Sequence, residues 1–564
     1  MKRVLKVVGI VLAVLVVAIV LVPFFINVDS FRPEIESKVS AALGRQVHIG
    51  SIKASILSGG AEADNITIND DPSFNKGPFL QASSLQIGLQ WLPLIFSREI
   101  KVTAITVRKP DIVLVHDSAG KWNYSSLGNA SGHSPAAKTE NVALKADAKK
   151  QAASSDAAAD FSVDKFEIQE GKIRIAQGSG HSLGKEQIYN KVNLLARNIS
   201  LRSVMPFTLS ALTPGGGALE VEGHAGPLNQ QDSAKTPLEA KVVLDHADLA
   251  AIGAFDPGSG IGGVLDFDGN IKSDGRRLSS NGKAKANNLQ MVKGGSPSRQ
   301  TINLDYSSDY AMESDTGTVN LKVHAGNSLA TASGTVATHG ESSVAHLKLA
   351  GQNMAVNDLE GLLPAFGVIL PSGASLQGGM TNVNLTAEGP LDKLVITGPV
   401  SITGTHLSGY NLGSKLSVIA ALAGIHPSTD TLIQTFSSGL RVAPEGIRAD
   451  NLVLDAPQIG QLAGNGTVGS DHALDFKMML TLASASNGGL MGAVSNIASG
   501  GQGKGIPFLV QGTTAEPRFL PSLTLGNTLK ALGGIQGSNQ QGQGQPSQGL
   551  GGLLGNILNK KKKP

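Results

Sequence analysis

Residues 180–184 read Gly-His-Ser-Leu-Gly and match the G-x-S-x-G pattern that holds a serine nucleophile in hydrolases. That chemistry needs the serine on a sharp turn between a strand and a helix, with an acid and a histidine further along the chain. An alternating strand pattern precedes the motif, but the residues that follow it are typical of a turn. We therefore interpret residues 180–184 as a hairpin loop, and an envelope serine hydrolase using Ser182 is the remote alternative.

Two glycine-rich stretches, residues 258–263 and 464–469, match the G-x-G-x-x-G pattern of dinucleotide-binding loops. Such a loop binds pyrophosphate only when a helix follows directly and turns its N-terminus toward the phosphates. Residues 264–267 and 474–480 instead alternate like strands. We therefore predict that both stretches connect strands and bind no nucleotide.

The chain has 12 histidines and no cysteine. The histidines are scattered and show no H-E-x-x-H spacing or other close pairing with carboxylates. Asp266 and Asp268 share one face of a predicted strand and are the best candidates for a cation site, although the solvated face of a sheet commonly carries such acids without a metal. We predict no catalytic residue, no cofactor and no metal site, and hence no enzyme.

The element that comes first is typical of a membrane anchor. Lys2, Arg3 and Lys6 precede an uncharged apolar run over residues 7–26, which as a helix would span about 30 Å. With acids following the run, the positive-inside rule places the N-terminus in the cytoplasm. Because no A-x-A cleavage pattern follows, we predict a retained transmembrane helix, and a cleaved signal stays the alternative.

Beyond Arg45 the sequence is typical of a sheet. Charged residues make up 16% of the chain, glycines number 69 and the net charge is +3. A charge this small gives no reason to expect nucleic-acid binding. Apolar residues alternate over short runs such as 85–89, 394–402 and 452–454, separated by turn residues. This pattern predicts antiparallel strands with one apolar and one polar face.

Helical spacing is scarce. Residues 29–43 predict a short amphipathic helix, since Phe31, Ile35, Val39 and Leu43 recur every four residues before Gly44 ends it. Four more segments have helical spacing: 91–96, 248–255, 358–366 and 416–422.

The sequence also repeats. Residues 246–263 and 356–379 share the order of an Asp-Leu pair, a short apolar segment and a glycine pair before a strand. Such repetition of sheet, short helix and sheet predicts an elongated stack.

Composition divides the chain into six parts. We predict a cytoplasmic N-terminus (1–6), a transmembrane helix (7–26), an N-terminal helix and β region (27–128), a flexible linker or insertion (129–160), a repetitive β-rich body (161–530) and a Gly/Gln-rich low-complexity tail with a lysine cluster (531–564). We interpret the lysines of the tail as a solubilising end, and weak docking of residues 550–563 on an anionic membrane is the alternative.

Several segments together resemble the AsmA family of bacterial envelope proteins, to which TamB is related. They are NVDSFRPEI at 27–35, LGRQV at 43–47, the stretch 77–94, ITVRKPDIVLV at 105–115, DSAGKWNY at 117–124, GIPFLVQG at 505–512 and EPRF at 516–519. The resemblance implies a single-pass inner-membrane protein with its bulk in the periplasm, linked to outer-membrane assembly and lipid homeostasis. It also implies likeness to bridge-like lipid-transfer proteins, whose curved sheet forms a taco-like groove.

The residues support a groove by a physical argument, because so few helices leave the apolar face of a long sheet without a cover. We expect a mainly β fold: an N-terminal transmembrane helix followed by an elongated, curved antiparallel β-sheet with a few short helices. Its apolar groove would bind or conduct phospholipids, and the alternative is a non-catalytic scaffold for outer-membrane protein assembly. Expected partners are the inner membrane, phospholipids and envelope assembly proteins, without nucleic acid. Ile396 is the mid-groove position at which an aspartate would separate conduit from scaffold.

Overall fold

The structure is a computed structural model. It describes residues 28–55, 60–75, 77–90, 102–117, 121–127, 162–179, 182–229, 232, 235–253, 255, 258–339, 342–412, 416, 430–482 and 505–521. Among them, no helix is both long and apolar enough to cross a bilayer. The predicted span 7–26, insertion 129–160, helical segment 91–96 and tail 531–564 lie outside the described residues, as does most of 416–422.

The described residues form 26 strands. The first nine are β1 (Val47–Ser55), β2 (Gly60–Asn69), β3 (Pro78–Leu89), β4 (Val102–Arg108), β5 (Asp111–His116), β6 (Ser162–Ser179), β7 (Ser182–Leu183), β8 (Gln187–Ser200) and β9 (Met205–Leu212). The next nine are β10 (Ala218–Ala225), β11 (Leu238–Asp248), β12 (Gly262–Ser273), β13 (Arg277–Gln290), β14 (Ile302–Ala311), β15 (Thr316–Ala325), β16 (Ser328–His339), β17 (Ser342–Ala355) and β18 (Ser375–Gln377). The last eight are β19 (Met380–Pro390), β20 (Val395–Ser408), β21 (Thr431–Ala443), β22 (Gly446–Ala456), β23 (Gly460–Gly469), β24 (Ala473–Leu482), β25 (Ile506–Thr513) and β26 (Pro517–Pro521).

Among the described residues helices are few and short, as the sequence predicts. A 3₁₀ turn (Val28–Phe31) leads into α1 (Arg32–Leu43), which ends at Gly44 in the left-handed region with φ 65°. Helix α2 (Val356–Glu360) and a 3₁₀ turn (Leu363–Phe366) occupy the predicted segment 358–366. The remaining 3₁₀ turns are Asn123–Ser126 and Leu391–Lys393.

The predicted helix over 248–255 is wrong. Strand β11 runs to Asp248, and residues 249–253 are turns. The Asp248 carboxylate accepts the backbone N–H groups of Ala250 at 2.9 Å and Ala251 at 3.0 Å. These bonds, with that from the N–H of Ile252 to the carbonyl of Asp248 at 3.0 Å, begin a single helical turn, which does not extend into a helix over residues 249–253.

The strands form a single ladder in chain order. β4 and β5 share one row between β3 and β6, β18 and β19 share one row beside β20, and β7 forms a side hairpin on the end of β6. The 26 strands therefore make twenty-three rows, which at about 4.8 Å per step extend roughly 105 Å along the sheet.

The sheet is mixed, whereas the sequence predicted an antiparallel one. β4 and β5 pair with β6 in parallel, and the other pairings of the described strands are antiparallel. A parallel pair needs a long crossover. Residues 117–161 supply it, so the predicted insertion sits where the strand direction stops alternating.

A buried polar network holds the first rows together. Arg45 forms an ion pair with Asp70 at 2.9 Å and donates to the carbonyl of Asn123 at 2.7 Å. The Asn123 side-chain amide donates to Asp70 at 2.7 Å and to the carbonyl of Val113 at 2.9 Å. Each buried charge thus has several partners, as its desolvation requires.

Four β-bulges of the same geometry add curvature to the sheet. In each, a residue with φ near +50° donates its backbone N–H to an Asn or Asp side chain on the neighbouring strand. The pairs are Glu170 with Asn193 (3.0 Å), His246 with Asp266 (2.9 Å), Asn353 with Asn382 (2.9 Å) and Asn451 with Asn465 (2.7 Å). We call them the capped bulges. Bulges add local twist and curvature to a sheet.

The capped bulges explain the sequence repeat. Asp266 follows Gly263 by three residues, and Asn382 follows Gly379 by three residues. Each caps the bulge of the preceding strand. The two copies therefore build the same strand junction, although only the second contains a helix.

The sheet curls until distant rows meet at one end. The carbonyl of Ala365 accepts the N–H of Met291 after β13 at 3.0 Å. The carbonyl of Gly367 lies 2.8 Å from Nδ1 of His472, between β23 and β24. Residues 361–367, which we call the bridging turn, thus join rows that are far apart in the ladder. Apolar side chains, among them Val292 and Phe366, line this junction.

Candidate functional site

The strand register connects all twenty-three rows into continuous lines of side chains. Residues directly opposite each other in paired strands lie on the same face. One line, which we call track 1, crosses every row without a charged residue. Its members are Ala54, Ala61, Ile87, Ile105, Phe166, Ala196, Phe207, Gly223, Ala240, Ile271, Ser280, Ser308, Val319, Gly334, Leu347, Ala387, Ile396, Val442, Ile447, Val468, Leu474, Gly512 and Pro517.

A second line on the same face, track 2, runs beside the first. It also has no charge, and Tyr306 is its one polar member. Its members are Ile52, Ala63, Leu85, Val107, Ile168, Leu194, Leu209, Val221, Val242, Gly269, Gly282, Tyr306, Leu321, Ala332, Leu349, Leu385, Gly398, Leu440, Ala449, Gly466, Phe476, Val510 and Phe519.

The opposite face has the reverse chemistry. The line between the two tracks points to this face, and every member except Leu195 is polar or charged. Its members are Lys53, Glu62, Gln86, Thr106, Glu167, Leu195, Thr208, Glu222, Lys241, Asn270, Asn281, Ser307, Asn320, Ser333, Lys348, Thr386, Thr397, Arg441, Arg448, Thr467, Asp475, Gln511 and Arg518. The sheet thus keeps an apolar and a polar face along its whole described length.

The apolar face is open in the middle rows. Large apolar side chains such as Val319, Leu321 and Leu349 are only half-buried. The fully buried members there are small, for example Ala332. Strands β14 to β16 make extensive contacts only with neighbouring strands in the described part of the chain. Among the described residues, the partial exposure of such a row fits shielding by adjacent rows without a second layer over it.

The apolar face is covered in the last rows. The segment after β20 lays Tyr410, Leu412 and Leu416 on β22 to β25, where they pack with Leu480 and Phe508. Leu480 is 0% exposed and Phe508 is 1% exposed. We call this group the C-terminal cluster. It closes one end of the apolar face by ordinary core packing.

Helix α1 closes the free edge of the sheet at the other end. Its side chains bond the unpaired backbone of β1: Arg32 donates to the carbonyl of Gly50 at 2.7 Å, and Glu36 accepts the N–H of Ile49 at 2.6 Å. Phe31, Ile35 and Val39 lie on another side of the helix and are exposed, Phe31 by 52%. Of the predicted apolar stripe, Leu43 packs on the sheet against the cluster around Val47 and Ile49, and the other contacts come from the polar side of the helix.

The polar face is charged and exposed. Lys241 and Asp268 lie 3.1 Å apart, and both are more than half exposed. Hydrogen bonds from Gln169 and Lys165 lower the pKa of Glu167 below its ordinary value. Open clefts of about 470 and 460 Å³ lie on this face, one around Asn382 and Ser401 and one around Glu222 and Lys241. The apolar tracks face away from them.

The structure separates the candidate cation ligands. Asp266 accepts the backbone N–H of His246 as a bulge cap, and Asp268 pairs with Lys241. Asp245, His246 and Asp266 place ligand atoms within 4.8 Å of one another, but Asp245 and His246 are exposed. The bulge accounts for this cluster, and we assign no metal to it.

The other motifs lie in strands or beside them. Ser182 belongs to β7, whose two residues pair antiparallel with the end of β6, and strand β8 follows where a nucleophile elbow would have a helix. Residues 464–469 lie inside β23, and Gly262 opens β12. Neither glycine-rich stretch precedes a helix, as predicted.

Sequence reasoning placed Ile396 on the groove, and the register puts it in track 1. It did not find the capping side chains Asn193, Asn382 and Asn465. The sequence signal for two of the four caps is the spacing of three residues from a glycine pair to Asp266 and to Asn382. This spacing is also typical of an ordinary turn, so it indicates a cap only when the partner strand is known.

Comparison with known proteins gives one match. Residues 1–361 match the AsmA family, which includes the N-terminal segments whose resemblance the sequence indicated. The similar segments 505–512 and 516–519 lie beyond the matched range. No curated protein and no solved structure matches the chain. Because the match covers more than half of the sequence, the chain belongs to the AsmA family.

Proposed function

We propose that this protein binds phospholipids on the two apolar tracks and conducts them along the sheet, without catalysis, during envelope biogenesis. Membership of the AsmA family and a large curved β-sheet fit a bacterial envelope protein. The observation that carries the finer proposal is the pair of uncharged lines that cross every row and lie uncovered in the middle rows.

An acyl chain gains from such a surface because each buried CH₂ contributes about 0.8 kcal/mol. Successive rows offer similar apolar side chains about 4.8 Å apart, so a chain that advances by one row exchanges one contact for a similar one. The barrier to sliding is therefore small compared with the total burial. A charged headgroup can stay in water at the edge of the sheet, and the protein need supply no covalent chemistry.

We propose that the protein is anchored in the inner membrane by residues 7–26, with its N-terminus in the cytoplasm and the sheet in the periplasm. Helix α1 supports this arrangement. Its exposed stripe of Phe31, Ile35 and Val39 begins five residues after the apolar run ends, so Phe31 lies within about 18 Å of the bilayer even along a fully extended chain. An exposed apolar helix side this close to a membrane suits its interfacial layer.

The test uses the full chain and two neighbouring substitutions on β20. Ile396→Asp places a charge in track 1, and Thr397→Asp places the same charge on the polar face. We expect Ile396→Asp to lower the rate of phospholipid transfer between vesicles at least tenfold, because an acyl chain would have to pass an ionised carboxylate. Thr397→Asp should retain the wild-type rate. Equal rates for both variants and the wild type would contradict the proposal.

A scaffold for outer-membrane protein assembly is the second candidate, and the open clefts of the polar face favour it. A scaffold would keep partner binding in Ile396→Asp and lose it in Thr397→Asp or a similar polar-face variant. Full function of Ser182→Ala would dismiss the hydrolase alternative.

A further inference from the structure

The two apolar tracks contain only three hydroxyl groups, and all three lie together. Ser280 in β13 is directly opposite Ser308 in β14, and both belong to track 1. Tyr306 in β14 belongs to track 2, and its hydroxyl lies 2.7 Å from Oγ of Ser280. We call these residues the hydroxyl waist. Strand β14 is the middle row of the ladder, so polar groups interrupt the apolar surface at the centre of its length.

The Tyr306 hydroxyl is held in place by its surroundings. The ring stacks on Phe267 with centroids 5.6 Å apart. A Cβ atom on Gly269 would lie 2.8 Å from the Tyr306 hydroxyl, and one on Gly282 would lie 3.0 Å from Cε1 of the ring. The ring therefore lies flat over two glycines, where any larger residue would displace it. This packing fixes the position of the hydroxyl on the apolar face.

The hydroxyl waist has unused hydrogen-bonding capacity. Ser280 and Tyr306 share one hydrogen bond in which either oxygen can donate, so one of the two hydrogens remains available. All three side chains are half-buried and thus reachable from the open face. The hydrocarbon of an acyl chain offers no acceptor, whereas the ester carbonyl at its head does.

We propose that the hydroxyl waist binds the ester carbonyls of a diacyl glycerolipid and makes the centre of the tracks selective for ester-linked lipids. This inference rests on the proposed function, because it assumes that acyl chains lie on the tracks. Small side chains at the waist, such as Ser280 and Gly282, give a lipid less apolar contact there. The ester hydrogen bond would offset that loss and mark a stopping point for the lipid.

The test is a competition between a diester phospholipid and its diether analogue with the same chains and headgroup. The full chain is offered an equimolar mixture, and bound lipid is quantified by mass spectrometry. One neutral hydrogen bond predicts about a fivefold preference for the diester. The double variant Tyr306→Phe with Ser280→Ala keeps the ring and should bind both lipids equally. Tyr310→Phe is the matched control, because Tyr310 lies on the same strand outside both tracks and bonds Asp315.

Each outcome bears on either the ester preference of the hydroxyl waist or lipid binding itself. Equal binding of the two lipids by the wild type overturns the waist but leaves the lipid-binding function standing. An ester preference that persists in the double variant also overturns it. Absence of both lipids from the wild type overturns the proposed function itself. If the double variant does not fold, Ser308→Ala replaces it, and a preference as strong as that of the wild type counts against the proposal.

Discussion

The middle rows, β9 to β17, and the last rows, β22 to β26, carry the same alternating pattern and the same two tracks, yet among the described residues only the last rows have a covering cluster, which lies beside the tracks on Leu480 and Phe508. The difference lies in their connections. Residues 312–315 and 326–327 join β14, β15 and β16 by tight turns, whereas residues 409–430 join β20 to β21 and lay Tyr410 and Leu416 over the apolar face. The alternation therefore decides the chemistry of a face, and the length of the connections decides whether that face becomes core or surface.

The largest effect is expected when the same substitution, leucine to alanine, is made in each of the two regions. Leu480→Ala in the C-terminal cluster should cost about 2–5 kcal/mol of unfolding free energy, because the cavity it leaves cannot collapse. Leu321→Ala in track 2 should cost about 1 kcal/mol, since a half-buried side chain loses less contact. Hydrogen exchange in each region measures both values. Equal costs would mean that the middle rows are covered too.

A pH-dependent difference comes from Tyr410. Burial raises the pKa of the Tyr410 phenol to about 12 from 10.0. The unfolded state loses the phenol proton at a lower pH than the folded state does. The stability that protonated Tyr410 contributes is therefore intact below pH 10 and is lost as the pH rises from 10 to 12. We expect an alkaline loss of about 1–2 kcal/mol in the C-terminal cluster, which Tyr410→Phe abolishes. Urea unfolding at pH 9 and pH 11 tests this, and identical pH profiles for the wild type and Tyr410→Phe would refute it.

The capped bulges should behave alike in both regions. Asn382→Ala removes the acceptor for the backbone N–H of Asn353 in the middle rows, and Asn465→Ala removes the acceptor for that of Asn451 in the last rows. Each should cost about 1 kcal/mol, because these N–H groups are exposed and water replaces the lost partner. Asn382→Asp and Asn465→Asp keep an acceptor and serve as controls. A much larger loss of unfolding free energy for Asn465→Ala alone would show that the C-terminal cluster also affects the stability of the bulges.

The smallest effect is expected on the polar face. Lys241→Gln removes the exposed ion pair with Asp268. Stability should change by about 0–1 kcal/mol, and the change should vanish in high salt. Phospholipid binding should stay at the wild-type level, because Lys241 points away from both tracks. A loss of lipid binding in this variant would indicate that lipid binds the polar face, which would contradict binding on the apolar tracks.

Much of this arrangement follows from the sequence. Alternation over residues such as Leu394 to Ile402 predicts the strands and their two faces, with Ile396 on the apolar one. The spacing of Phe31, Ile35 and Val39 with Gly44 predicts helix α1. These features depend on neighbours a few residues apart, where the periodicity of helix and strand is direct.

The rest depends on partners far apart in the chain. Asn382 caps the backbone of Asn353 across a strand pairing, and residues 361–367 bridge rows on opposite sides of the curl. The parallel pairing of β4 and β5 with β6 requires the path of a long crossover. The hydroxyl waist exists only once the register sets Ser280 beside Tyr306. A shift of one residue in any pairing would send these side chains to the other face.

Site-specific photo-crosslinking in cells tests the central claim most directly. A photoreactive side chain at Leu321 probes the open track, one at Asn320 probes the polar face of the same strand, and one at Leu480 probes the covered end. The account predicts phospholipid adducts at Leu321 and none at Asn320 or Leu480. Adducts at Asn320 equal to those at Leu321, or no lipid adduct at Leu321, would contradict the claim that the uncovered apolar face carries lipid.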